Sequence, residues 1–263
     1  MIITQLFTDI ERTSIPVRVY GSLIEIYNEQ SFDLLQDNDS VQLEPAQIRE
    51  NKRGQFVIPT LVKSKLLTLD DAYELLKQGN ERKRIGNSAL HDRSSRSHTI
   101  FRLYLARPAR DSREIMLSEL NLVDLAGSEV MSYEYGQDQQ EETKHINLSL
   151  LALKRVINSL AQSSKHIPYR QSALTKILQN SLGGNSLTSL LCMVSPCLEH
   201  WPVSQRTLSF GKIAQTISLS AEPLRPRKAP TFHDDADLKS TGPLELTEVK
   251  CESTKTETQE TDV

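Results

Sequence analysis

Leu120-Asn121-Leu122-Val123-Asp124-Leu125-Ala126-Gly127-Ser128-Glu129 is the stretch from which the fold can be read. Leu120, Leu122, Val123 and Leu125 make a short, nearly continuous apolar run, the pattern of a strand covered on both faces in the parallel sheet of an α/β domain. Asp124 closes the run, and Gly127 lies in the turn behind it. In open α/β sheets ligands sit beyond the carboxyl ends of the strands. An acid there, followed by a glycine that admits close approach, suits a metal-bound phosphate. An acid satisfied by the backbone of an ordinary turn fits this stretch equally well, so a second segment has to decide.

That segment is His91-Asp92-Arg93-Ser94-Ser95-Arg96-Ser97-His98, which contains no apolar residue. Its hydroxyls and arginines are the groups that coordinate a cation, orient a water and stabilise phosphate charge in phosphoryl transfer. Ser/Arg runs also occur as flexible, phosphorylatable linkers. Here the run passes directly into residues 99–105, an alternating strand pattern, which pins the loop at one end.

The chain has 263 residues, enough for one domain with an ample core. Its net charge is −3. Six basic and ten acidic residues lie from Glu222 onward, leaving 25 basic against 24 acidic, a net +1, for residues 1–221. No strong field points to nucleic acid. Three cysteines without ligand spacing suit a reducing compartment and imply no cysteine metal site. No apolar run approaches a membrane span, and residues 1–10 lack the basic lead-in of a signal peptide, so a cytoplasmic protein is expected.

Ile2, Ile3, Leu6, Phe7 and Ile10 fall at helical spacing before Pro16. A strand is expected over 17–27, a helical turn from Phe32 to Leu35, and a strand pair over 47–58 turned at Lys52-Arg53-Gly54. Thr68 and Asp71 form a capping-box variant for a helix running towards Gly86. Residues 99–107 and 113–124 predict a hairpin, which places the two polar segments at opposite ends of the strand pair. Residues 130–142 carry four acids and no lysine or arginine, and read as a loop. The helix expected over 143–161 has an apolar stripe of Ile146, Leu150, Leu153, Ile157 and Leu160. A helix over 172–182, a second buried strand over 189–194 and a closing helix over 204–217 complete the domain, with Trp201 packed in a loop. Prolines at 223, 226 and 230 and a Thr/Glu/Lys-rich remainder predict a disordered tail. The expected division is residues 1–221 and 222–263, with no heptad run for a dimerising coiled coil.

Ser94-Ser95-Arg96-Ser97-His98 and Asp124-Leu125-Ala126-Gly127-Ser128-Glu129 resemble switch I and switch II of kinesin motor domains. Further segments match in the same order: Glu25-Ile26-Tyr27-Asn28-Glu29 with Asp33-Leu34-Leu35, Ile146-Asn147 with Ser149-Leu150, His166-Ile167-Pro168-Tyr169-Arg170, Ser181-Leu182-Gly183-Gly184-Asn185, and Thr207-Leu208-Ser209-Phe210. The resemblance covers residues 1–219. It implies a P-loop NTPase-like kinesin fold, a mixed central sheet flanked by helices, with ATP and magnesium as cofactors and cytoskeletal microtubules as partner.

The same resemblance implies residue roles. Ser94 would orient the attacking water, Ser95 and Asp124 would hold magnesium, Asp124 through water, and Gly127 would sense the γ-phosphate. Arg96 would pair with Glu129, while His98 and Asn147 support the switches. Lys144, Lys165, His166, Tyr169, Arg170 and Lys176 would face tubulin. Two departures stand out: the acidic loop at 130–142, where the family commonly has basic residues, and His91 in place of the usual asparagine. The phosphate loop G-x-x-x-x-G-K-[ST] does not occur in these residues; the one Gly-Lys pair, Gly211-Lys212, has Arg206 where a glycine is needed. The resemblance therefore implies a motor domain truncated before residue 1. The chain is expected to be inactive as an ATPase alone, either as part of a motor or as a non-catalytic microtubule-binding or regulatory module.

Overall fold

The structure, a computed structural model, describes residues 1–36, 43–85, 97–109, 115–127, 137–218 and 221–222, with backbone only for 84, 85 and 137–147. Strand β1 (Arg18–Tyr27) is the axis of the sheet. Its residues alternate between two apolar layers: Val19 and Leu23 belong to one core cluster, Ile24 and Ile26 to another. A strand with apolar side chains on both faces has to be covered on both, and helices do so here.

A tight turn through Asn28 and Glu29, both with positive φ (49° and 60°), reverses the chain into β2 (Gln30–Asp33). Two left-handed residues are what a two-residue hairpin of the favoured twist requires. The expected helical turn over Phe32–Leu35 gives way to this strand, because Phe32 and Asp33 pair with Glu25 and Ile24. Short strands β3 (Pro45–Ala46) and β6 (Ser64–Leu66) pair with β2 and β1. Between them β4 (Arg49–Glu50) and β5 (Phe56–Val57) form the expected small hairpin, with Gly54 at φ 73° in its turn.

On its other side β1 pairs with β7 (His98–Pro108), and β7 pairs with β8 (Ile115–Asp124), the expected long hairpin. The order is β3-β2-β1-β7-β8, and every ladder among the described residues is antiparallel. Strands β1 and β8 run parallel to each other with β7 between them. Helices α1 (Ile2–Arg12) and α2 (Leu69–Ile85) supply one layer through Ile3, Phe7, Ala72 and Leu75. The capping box of α2 forms as read: the Asp71 carboxylate accepts from the Leu67 and Thr68 amides at 2.7 and 2.8 Å, and the Asp71 amide donates to Thr68 Oγ1. The other layer is α3 (Gln137–Ala161), α4 (Ala173–Ile177), α5 (Gln179–Gly183) and α6 (Trp201–Gln215), whose Leu153, Ile157, Leu174 and Ile213 meet Ile24, Ile26 and Ile100.

Several expectations are corrected. Helix α3 begins at Gln137, so part of the acidic stretch read as loop is helix. The helix expected over 172–182 is broken at Leu178. Strand β8, expected in a parallel sheet with both faces covered, pairs antiparallel with β7; Leu120 and Leu122 pack on one layer, whereas Val123 on the opposite face is 38% exposed. Residues 189–194, expected as a buried strand, pair with no strand among the described residues, and Leu191 and Met193 are 81% and 82% exposed. The segment meets α6, where Cys192 lies against Gly211, and just beyond it the Ser195 amide donates to Ser204 Oγ. A strand is fixed in a sheet by flanking strands, and none lies beside it among the described residues. Trp201 is the first residue of α6 and 54% exposed, not packed in a loop. No described helix is long and apolar enough to cross a membrane. The tail from 222 lies outside the described residues, Glu222 apart.

Candidate functional site

The candidate site lies where β7 begins and β8 ends: the hairpin, expected to hold the two polar segments at opposite ends, sets them side by side, because in an antiparallel pair the start of the first strand lies next to the end of the second. The β7–β8 register sets Thr99 opposite Asp124, and the β1–β7 register sets Glu25 opposite Thr99. Directly paired residues share a face, so Glu25, Thr99 and Asp124 form a polar row across three strands. Lys83, near the end of α2, reaches this row and donates to Thr99 Oγ1 at 2.8 Å. The Glu25 side chain is buried, whereas Asp124 is exposed and has no hydrogen-bond or ion-pair partner among the described residues. An exposed, unpartnered carboxylate at the carboxyl end of a strand, followed by Gly127, fits a hydrated divalent cation.

One residue along, His98 is 2% exposed. Its Nδ1 accepts from the Ala126 amide at 2.9 Å, and its Nε2 lies 2.8 Å from Ser149 Oγ on α3. A backbone amide only donates, so Nδ1 carries no proton and Nε2–H donates to the serine. Burial, with Lys83 adding repulsion, pushes the His98 pKa down to about 4, so the ring is neutral at physiological pH. The neighbouring Ser97 is also buried.

A second surface lies on the α4 side. Lys165, His166 and Arg170 are exposed, while Tyr169 and Lys176 are half-buried. The turn is held from several directions. Ser172 caps α4 by accepting from the Thr175 amide at 3.1 Å, and Thr175 Oγ1 donates to the Tyr169 carbonyl at 2.7 Å. Glu29, from the β1–β2 turn, accepts from the Ala173 amide at 2.7 Å. A Cβ on Gly183 would collide with the Tyr169 hydroxyl and Leu160, which accounts for glycine there. A surface cavity of about 280 Å³ opens beside this turn, lined by Glu50, Phe56, His166, Pro168, Tyr169 and Arg170. Arg170 Nη2 donates to Glu50 Oε2 at 2.6 Å.

Of the sequence-predicted residues, the structure brings His98, Asp124 and Gly127 to one end of the sheet, and Lys165, His166, Tyr169, Arg170 and Lys176 to the α4 surface. Ser94, Ser95, Arg96, Glu129 and His91 lie outside the described residues, as do the side chains of Lys144 and Asn147. Three partners had no role assigned from sequence: Lys83, Ser149 and Glu50. Ser149 sat inside a quoted motif, but nothing in its neighbourhood signalled a histidine 51 residues away.

Comparison with known proteins fits this geometry. The kinesin motor domain profile matches residues 1–217. Kinesin-related protein 4 of Dictyostelium discoideum is 40% identical over 199 residues, covering 74% of this chain and 10% of that protein. Kinesin-like protein KIN-14Q of Oryza sativa is 38% identical, with 79% of this chain and 22% of that protein covered. Among solved structures, a fast kinesin analysed for its ATPase mechanism and microtubule interactions superposes with a TM-score of 0.76 at 32% identity, over 97% of this chain and 68% of that one. The KIF14 dimer bound with both heads to a microtubule gives 0.73 at 32% identity, over 83% and 64%. The fold is that of the kinesin motor, helices on both faces of a central sheet. The chain belongs to the kinesin motor domain family, and it spans about a tenth to a fifth of the length of the curated relatives it matches.

Proposed function

We propose that this chain is the switch-bearing and microtubule-facing part of a kinesin motor that couples ATP hydrolysis to movement along microtubules. The observation that carries the reading is the convergence of Asp124, Gly127 and His98 at one sheet end within a chain matched to the kinesin motor over residues 1–217. In this reading Asp124 holds magnesium through water. By the family resemblance Ser95 completes the magnesium site, Ser94 orients the attacking water, and Arg96 pairs with Glu129 to lock the two switches. Magnesium-bound ATP, when held, supplies a transferable phosphoryl group whose charge the metal neutralises. The α4 surface, with Lys165, His166, Tyr169, Arg170 and Lys176, meets acidic tubulin, and Lys144 joins it from α3.

A second reading, a microtubule-binding or regulatory module without catalysis, is favoured by one observation. These 263 residues contain no G-x-x-x-x-G-K-[ST] loop, whose amides and lysine supply most phosphate binding in this class. The two readings share the microtubule surface and part at hydrolysis. The test is co-sedimentation of the purified chain with microtubules, followed by microtubule-stimulated phosphate release. We expect weak, salt-sensitive binding and no stimulated release from the chain alone, and stimulated release once a segment bearing the phosphate loop is joined ahead of residue 1. Absence of binding at low salt would overturn both readings. Failure of the extended chain to hydrolyse ATP would leave the module.

A further inference from the structure

We propose that His98 is a positioning residue that transmits the placement of the Asp124–Gly127 turn to helix α3, through a single imidazole bonded at both nitrogens. Three segments meet on it. The ring belongs to the first residue of β7, directly after the Ser94-Ser95-Arg96-Ser97 run. Nδ1 takes the Ala126 amide, inside the turn that follows β8, and Nε2–H goes to Ser149, on the buried face of α3 beside Ala152, Leu153 and Val156. Ser149 and Ala126 are 2% and 7% exposed, so water does not readily substitute for either bond.

An imidazole has no internal rotor between its two nitrogens. With χ1 and χ2 locked by burial, a shift of the Ala126 amide has to move the ring, lengthen the bond, or move Ser149 with it. A long aliphatic side chain in the same place would fill the space but transmit no direction. The tautomer matters as much as the shape. With the proton on Nδ1, two N–H groups would face each other at Ala126, and the Ser149 hydroxyl would have to reverse. These two hydrogen bonds allow one tautomer, and burial keeps the second proton off.

This linkage is internal to the chain and needs neither nucleotide nor microtubule, so its failure would leave the motor reading untouched. The test is amide hydrogen exchange on the full 263-residue chain, read at Ala126, with nitrogen chemical shifts of the His98 ring reporting the tautomer. Ser149→Ala removes the acceptor on α3 without touching the turn. It should speed exchange at Ala126 by about two- to ten-fold, the effect of loosening one buried hydrogen bond. Ser149→Thr, which keeps the hydroxyl, should restore protection. His98→Phe should speed exchange at both Ala126 and the residue 149 region. If that variant does not fold, the Ser149 pair still decides. Unchanged exchange at Ala126 in Ser149→Ala, or ring shifts showing the proton on Nδ1, would overturn the proposal.

Discussion

The row of apolar side chains along residues 187–198 sets up a prediction about self-association. Leu187, Leu191, Met193 and Leu198 are 82%, 81%, 82% and 88% exposed. Fully burying such a side chain is worth about 1.5–3 kcal/mol, so these four leave about 5–10 kcal/mol of burial unrealised per chain. In a symmetric contact between two copies the gain doubles to about 10–20 kcal/mol, against about 4–15 kcal/mol for lost freedom on association. Midpoints leave about 5 kcal/mol, an association in the high-micromolar range. The edge of β8, unpaired among the described residues, adds a template for strand pairing. Replacing Leu191 and Met193 together by glutamate removes about half the gain and turns the balance unfavourable. Sedimentation velocity over about 10–1000 μM, a window bracketing that affinity, should show concentration-dependent association of the original chain and a monomer for the double variant. Because both side chains already stand in water, the melting temperature should move by no more than about 2 °C. A monomeric original chain across the range would refute the reasoning, as would a double variant that has lost its cooperative melt, which would mean these side chains are buried.

Stability should fall between pH 6.5 and about 4 as His98 is titrated. The folded-state pKa is depressed, so the unfolded chain takes the proton first; the contribution is complete above pH 6.5 and lost on the way down, about 3 kcal/mol in all, and His98→Phe should flatten that part of a denaturant-midpoint profile. Asp33, 2% exposed, accepts from the Leu35 and Val62 amides at 3.0 and 2.7 Å, so Asp33→Ala should cost about 2–4 kcal/mol in chemical denaturation, and Asp33→Asn less, since one acceptor oxygen remains. Neutralising Lys144, Lys165, Arg170 and Lys176 should abolish microtubule co-sedimentation, which should itself weaken with salt because exposed charges are screened over about 8 Å at physiological ionic strength. Glu50→Gln frees Arg170 from its ion pair and should tighten that binding by up to about five-fold, the range of one exposed pair, whereas weaker binding would show that Glu50 contacts the partner. In a chain carrying a phosphate loop, Arg96→Ala and Glu129→Ala should each abolish stimulated hydrolysis, with the double variant no worse; multiplicative losses would show that they act separately.

What the sequence by itself determined is what depends on near neighbours. The helix over Leu69–Ile85 was legible from its capping box and apolar spacing, the β7–β8 hairpin from alternation on either side of Pro108, and the β4–β5 turn from Gly54. The resemblance was legible because its motifs keep their order, and the apolar run before Asp124 placed that acid at the end of a strand. Tertiary structure decided the rest. The Ser149 partner of His98 lies 51 residues away, and Glu50 reaches Arg170 across 120. Such distances are closed by sheet order and helix packing, which no local pattern encodes. Residues 189–194 show the same limit from the other side: Ser-Leu-Leu-Cys-Met-Val is a strand by composition, yet a strand exists only when another backbone lies beside it to take its hydrogen bonds. In this structure that neighbour is missing among the described residues, so the segment stays extended, exposed and unpaired.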